Sequence, residues 1–197
     1  AVAQAEVTAS LGVNSSYMFR GEQLNDGMTT SAGIGFELAG ISVGVLVTDA
    51  DDADFTFNEG TPGQVDHDSF TETDITLGYT ANVMGTDVRF SYTDYAYNFG
   101  SGDDERGQTE FSVGITASGL AIDFVSGEDT DALAAGETDY DVITLGYTVG
   151  NVDITLGQVD IDGGDEYNYY EISTGTELFG LDAHVMVTNT FSQDNSQ

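Results

Sequence analysis

The strongest constraint in the sequence is an alternation of period two between large apolar residues and small or polar ones. Near the middle of the chain, one parity carries Leu77, Tyr79 and Val83, and the other carries Thr76 and Gly78. Alternation over so many residues predicts a β-strand with one apolar and one polar face, because a helix would repeat every 3.6 residues.

The same pattern recurs along the whole chain and is interrupted by short turns. Each predicted turn contains glycine or lies beside it: Ala39-Gly40, Met84-Gly85, Ser118-Gly119, Gly150-Asn151 and Phe179-Gly180. A first strand is predicted from Val7 to Phe19. We therefore expect a single all-β domain over residues 1–197. Its predicted fold is an antiparallel up-and-down β-barrel of about 11 to 12 strands, with short turns at one end and longer acidic loops at the other. The predicted long loops are 50–68, 100–108 and 127–138.

Composition excludes several classes of protein. The chain has 35 Asp and Glu against 3 Lys and Arg, for a formal charge of −32, so no basic face is available for nucleic acid. It has no Cys, and no apolar run reaches the roughly 18 residues of a membrane-spanning helix. His67 and His184 are isolated, and no nucleophile elbow or phosphate-binding loop is present, so we do not expect an enzyme.

The residue types on the two strand faces favour a membrane barrel over a soluble sandwich. A soluble sheet usually presents long charged side chains to water, whereas here the polar parity is rich in Gly, Ser and Thr. Small residues suit a concave inner wall, and bulky ones suit a convex wall that faces hydrocarbon. Aromatic residues such as Tyr95, Tyr97 and Tyr169 lie near the predicted long loops, where we expect them at the lipid headgroups.

Two short segments resemble a known family. The run Tyr17-Met18-Phe19-Arg20-Gly21 and the later run Phe90-Ser91-Tyr92-Thr93-Asp94-Tyr95 are similar to the first and central strands of the TorF family of small proteobacterial porins. This resemblance implies an outer-membrane β-barrel without an established substrate.

If the polar parity faces a lumen, its ionisable residues line a pore. Such an acidic lining would concentrate cations and repel anions. In the alternative, Arg20 and Arg89 pair with neighbouring carboxylates and plug the interior. The predicted pore-lining residues are Arg20, Glu37, Glu72, Asp74, Arg89, Glu110, Asp123, Asp153, Glu171, Glu177 and Asp182, with His184 on the same parity.

Two acidic segments are candidate Ca²⁺ sites, because closely spaced carboxylates next to tight turns are what this hard cation requires. Neither matches an EF-hand loop, and solvated acidic loops are the alternative. The candidate ligands are Asp49, Asp51, Asp52, Asp54, Asp160, Asp162, Asp165 and Glu166.

Two functions remain open. The first is a bacterial outer-membrane channel for small cationic or neutral solutes, whose partners are the lipid bilayer and those solutes. The second is an extracellular structural protein that self-assembles through open β-edges, because an odd strand count leaves such edges exposed. The start of the chain, Ala1 to Glu6, resembles the processed N-terminus of an exported protein.

Overall fold

A computed structural model describes residues 5–57, 65–99, 105–131, 136–163, 166–178 and 181–191, and these form an all-β fold. No helix in the described part is long and apolar enough to cross a membrane. The strands are β1 (Glu6–Asn14), β2 (Tyr17–Phe19), β3 (Glu22–Asn25), β4 (Thr29–Leu38), β5 (Ile41–Phe57), β6 (Val65–Val83), β7 (Thr86–Asn98), β8 (Glu105–Ala117), β9 (Leu120–Asp131), β10 (Gly136–Val149), β11 (Val152–Ile161), β12 (Tyr167–Leu178) and β13 (Leu181–Phe191).

Eleven of these strands form one up-and-down antiparallel sheet in the order β1-β4-β5-β6-β7-β8-β9-β10-β11-β12-β13. This confirms the predicted strand number and the antiparallel connectivity. The two remaining strands, β2 and β3, form a short hairpin that is joined to the sheet where Asn25 pairs with Ala53 of β5. We call β2 and β3 with their connecting turn, Tyr17–Asn25, the inner hairpin.

The predicted closure into a barrel is not present. Among the described residues β1 pairs only with β4, and β13 pairs only with β12. Because eleven successive antiparallel strands alternate in direction, β1 and β13 run the same way. The two edges of the sheet would therefore need a parallel pairing to meet.

Several strand boundaries differ from the sequence prediction. The first predicted strand is divided at Ser15 and Ser16, so that Tyr17 to Phe19 belong to the inner hairpin. The predicted acidic loops are largely strand, since β5 continues to Phe57, β6 begins at Val65 and β8 begins at Glu105. Asp51, in the part of the β5 extension whose side chains are described, is exposed to solvent.

The sheet turns its bulky side chains outwards, as predicted. Leu77, Ile115 and Leu145 are 55%, 48% and 45% exposed, whereas Gly78 and Gly114 are buried on the opposite face. We call the outward row of large apolar side chains the outer apolar belt. Its members include Ile41, Val43, Val45, Val47, Ile75, Leu77, Tyr79, Val83, Phe90, Tyr92, Phe111, Ile115, Leu120, Ile122, Phe124, Ile143, Leu145, Tyr147, Val149, Leu156, Ile172, Val185 and Val187.

Tight turns join the strand pairs at one end. At Ala39-Gly40, Met84-Gly85 and Ser118-Gly119 both residues have positive φ, as a two-residue type I′ turn requires. The predicted turn at Phe179-Gly180 lies outside the described residues.

Gly40 and Gly85 provide a matched test of steric crowding at these turns. Both have φ near +85°, but a Cβ at Gly40 would collide with the Thr80 carbonyl, whereas at Gly85 it would meet nothing. We expect Gly40→Ala to lower the unfolding free energy by about 1–3 kcal/mol more than Gly85→Ala, because overpacking adds to the shared backbone strain. Equilibrium urea unfolding in detergent measures the difference, and equal losses would contradict the crowded turn.

Candidate functional site inside the curved sheet

The inner hairpin lies against the concave face of the sheet and contacts strands that are distant in sequence. Tyr17 reaches β6 by donating a hydrogen bond from its hydroxyl to Glu72 Oε1 at 2.6 Å. Arg20 reaches β8 at Glu110. A Cβ on Gly21 would lie 2.5 Å from Tyr169 Cβ of β12 and 3.0 Å from Thr190 Cγ2 of β13. The sheet therefore curls far enough for β6, β8, β12 and β13 to surround one hairpin.

Glu110 is the centre of the polar contacts in this interior. It is 7% exposed, and its Oε1 accepts hydrogen bonds from Arg20 Nη2 and from the Tyr140 hydroxyl, both at 2.6 Å. Its Oε2 accepts a hydrogen bond from the Tyr95 hydroxyl at 3.1 Å. Gln108 Nε2 donates to the Tyr140 hydroxyl. A buried carboxylate is thus held by one cation and two phenols, as burial of charge requires.

Arg20 stays charged in this setting. Burial lowers the pKa of its guanidinium, but the charge of Glu110, the Tyr140 side chain and the hydrogen bonds to both together more than offset this, so the pKa lies above its ordinary value. The guanidinium carbon also lies 4.6 Å from the Phe19 ring centroid and 5.5 Å from that of Tyr140. Both distances are typical of cation–π contacts.

A second set of contacts anchors the two ends of the inner hairpin. The Asn25 side-chain amide donates hydrogen bonds to the carbonyls of Asp51 at 2.7 Å and Gly27 at 3.2 Å. Burial, and then the charge of Glu72, raise the pKa of the Tyr17 hydroxyl, which stays protonated and keeps its donor role. The hairpin is therefore fixed at Tyr17, Arg20 and Asn25.

Aromatic side chains fill the interior on both sides of the inner hairpin, contrary to the prediction that Tyr95, Tyr97 and Tyr169 lie at the lipid headgroups. Tyr97 and Tyr169 are buried on the inner face, and Tyr95 is half-buried there. One cluster joins Ala50, Phe70, Tyr97 and Phe99, with Tyr17 and Tyr95 packed against it. The other joins Val125, Tyr140, Val142, Val159 and Tyr169.

Glycines make room for these rings. A Cβ at Gly127 would collide with the ring of Tyr140, its cross-strand partner, and one at Gly157 would collide with that of Tyr169. Each tyrosine thus lies flat over a glycine on the neighbouring strand, and the ring stays close to the wall.

The predicted pore-lining residues fall into two levels along the sheet. Glu72 and Glu110 are buried, and Arg20, Asp74 and Glu171 are partly buried, at the level of the inner hairpin. The other members lie nearer the short turns: Glu37, Arg89, Asp123, Asp153, Glu177, Asp182 and His184, of which all but the half-buried Asp123 are exposed. Arg89 Nη2 and Asp123 Oδ1 form an ion pair at 2.5 Å. Both arginines thus pair with carboxylates, as the plugging alternative requires.

Tyr95, Tyr140 and Gln108 complete the Glu110 network, and Tyr17 binds the nearby Glu72. None of these four residues was predicted as a site residue. Tyr95 shares the parity of Arg89, and Tyr140 is three residues from the outward-facing Ile143, so strand parity could have placed both on the inner face, although Tyr95 was expected at the lipid headgroups. Parity gave no signal for the position of Tyr17, because the inner hairpin leaves the sheet.

Two adjoining cavities lie on the inner wall between the inner hairpin and the short turns. The larger, of about 310 Å³, is lined by residues of β1, β4, β5, β6 and β7 that include Ser10, Leu46, Asp74, Thr93 and Tyr95. The second, of about 240 Å³, shares its wall and extends to Glu6 and Glu37. The space beside Asp74 and Tyr95 therefore continues along the inner wall towards the short turns.

The predicted Ca²⁺ sites gain no support. Asp49 and Asp51 lie on β5 and Asp160 on β11, and no three acidic or histidine side chains of the described part are grouped as metal ligands. The side chains of Asp52 and Asp54, and all of Asp165, lie outside the described residues. Calcium binding stays a prediction.

Comparison with family models, with curated proteins and with solved structures finds no match. The resemblance to the TorF family therefore stays a prediction from the two short runs.

The two ion pairs provide a test of how strongly the inner hairpin is held. Arg20→Ala leaves Glu110 buried without its cation, so we expect a loss of about 3–5 kcal/mol in unfolding free energy. Arg89→Ala breaks a pair in which the arginine side chain is 57% exposed, so we expect about 0–1 kcal/mol. Chemical unfolding of both variants in detergent gives the comparison, and similar losses would contradict the central role of the Arg20–Glu110 pair.

Proposed function

We propose that this protein is a bacterial outer-membrane β-barrel that passes small cationic or neutral solutes and is plugged at one end by the inner hairpin. The observation that carries the proposal is the outer apolar belt, which runs along the sheet opposite an inner face of small and acidic residues. A water-soluble sheet would bury that belt.

The dimensions of the belt agree with a thin membrane. Its outward apolar residues extend from Ile75 to Val83 on β6, about 27 Å of strand at 3.4 Å per residue, and from Ile143 to Val149 on β10, about 20 Å. Spanning strands need about 9 to 11 tilted residues in an average bilayer, and the bacterial outer membrane is thinner than average.

Closure is part of the proposal. We infer that β1 and β13 meet as a parallel pair in the bilayer, because unpaired backbone groups cannot remain in hydrocarbon. The inner hairpin supports this pairing, since it follows β1 in the chain and its Gly21 lies against Thr190 of β13. It thus lies behind the seam where the two edges would meet.

Acidic residues support cation selectivity. Glu37, Asp153, Glu177 and Asp182 lie near the short turns, and Arg89 in this region is paired with Asp123. Negative charge along a low-dielectric wall raises the local cation concentration.

Adjacent positions on β10 test which face meets lipid. Leu145 points outwards from the belt and Thr144 points inwards. We expect Leu145→Arg to lower the free energy of unfolding in lipid vesicles by about 2–4 kcal/mol and Thr144→Arg to change it much less. Vesicle unfolding titrations measure both, and a chain that folds without lipid and tolerates Leu145→Arg would contradict a membrane barrel.

Planar-bilayer recording tests conduction. Under a potassium chloride gradient we expect a reversal potential of cation sign, and a higher conductance for Arg20→Ala because the inner hairpin loses its central contact. Met84→Ala, at a fully exposed turn, serves as the control. A reversal potential of anion sign would contradict the acidic lumen.

The unpaired edges favour a second function. An extracellular protein that assembles through β1 and β13 of successive copies would satisfy the same backbone groups by strand addition. This function predicts polymers that pellet without detergent, whereas a membrane barrel partitions into detergent micelles.

A further inference from the structure

The larger cavity is lined by a carboxyl group, an aliphatic side chain and an aromatic ring, and a lumen that is merely selective for cations does not require this combination. Three of its lining side chains form one row across the inner wall, because Asp74 is the cross-strand partner of Leu46 on one side and of Tyr95 on the other. A carboxylate thus lies between an aliphatic side chain and an aromatic ring.

The row is extended by hydroxyl groups. Thr76 and Thr93, the next inward pair along β6 and β7, are hydrogen-bonded at 3.1 Å, and Thr8 and Ser10 of β1 line the opposite wall. Leu46 remains 37% exposed although it points inwards, and its Cδ1 would lie 3.3 Å from a Cβ on Gly33. Because Gly33 has no side chain, it does not cover Leu46, whose apolar surface faces the cavity.

Electrostatics at this position favour a cation. Glu72 lies two residues from Asp74 on the same inner face, so the two acids repel each other when both are charged, and a cation bound beside Asp74 would relieve that repulsion. Among the described side chains, Arg20 forms its ion pair with Glu110 and Arg89 forms its ion pair with Asp123. Neither of these two described arginines forms an ion pair with Asp74.

We propose that this cavity binds a small alkylammonium ion, with its ammonium group at Asp74, its alkyl chain along Leu46 and the Tyr95 ring beside the charge. A carboxylate and an aromatic ring are the groups that recognise ammonium, and the aliphatic wall favours an alkylated cation over a hydrated metal ion. The volume of about 310 Å³ accommodates a chain of a few carbons. This inference rests on the proposed function, for which it names a class of solute, and the second cavity provides the approach from the turn end.

The test uses n-butylammonium as the probe and the detergent-solubilised full chain. Titration calorimetry compares the wild type with Asp74→Asn and Asp94→Asn. Asp94 is the residue next to Tyr95 on β7 and is exposed on the outer face, so its variant removes the same charge at the same level of the sheet.

We expect Asp74→Asn to weaken n-butylammonium binding about tenfold or more and Asp94→Asn to leave it unchanged, because only Asp74 supplies a charge-assisted contact. Neutral n-butanol should bind much more weakly than the ammonium. Equal loss in both variants, or equal affinity for n-butylammonium and potassium, would overturn the proposal.

The readout is independent of conduction. Binding that depends on Asp74 in a protein that passes no current would support this site and contradict the pore. Cation-selective current in a protein that binds no n-butylammonium would support the pore and contradict this site.

Discussion

Glycine beneath a larger side chain is the packing interaction on which the interior of this protein depends. Gly127 accepts the ring of Tyr140, and Gly157 accepts that of Tyr169. These rings then form one side of the space that holds the inner hairpin, where Tyr140 also donates a hydrogen bond to Glu110. Side chains at the two glycines would push the rings inwards and close that space, so the inner hairpin and the buried ion pair both depend on two positions without a side chain.

The curved sheet separates two environments with opposite demands. Its outer face carries bulky apolar residues at nearly every strand, and its inner face carries hydroxyls, carboxylates and glycines. The interior is itself divided, since aromatic rings and one buried ion pair fill the end that holds the inner hairpin, while open volume remains towards the short turns. This asymmetry gives the proposed pore one closed and one open end.

Much of the fold could be predicted from strand parity, which reports the face of each residue directly. The eleven strands, the exposure of Leu77 and the inward position of Glu110 all follow from it. Parity does not report contacts between residues far apart, so the pairing of Arg20 with Glu110, 90 residues away, could not be predicted. The prediction that acidic segments form loops was also wrong at Asp51, because the strand β5 continues through this residue. A carboxylate can lie on a strand when its side chain is exposed to water, as that of Asp51 is.

The position of Gly21 has a consequence for the order in which the molecule forms. The side chains beside it are Tyr169 and Thr190, which are 148 and 169 residues further along the chain. Contacts of such long sequence separation form slowly, because a large loop must close before they are gained. The inner hairpin is therefore among the last parts of the structure to become ordered, and the eleven strands must assemble around a region that is not yet held.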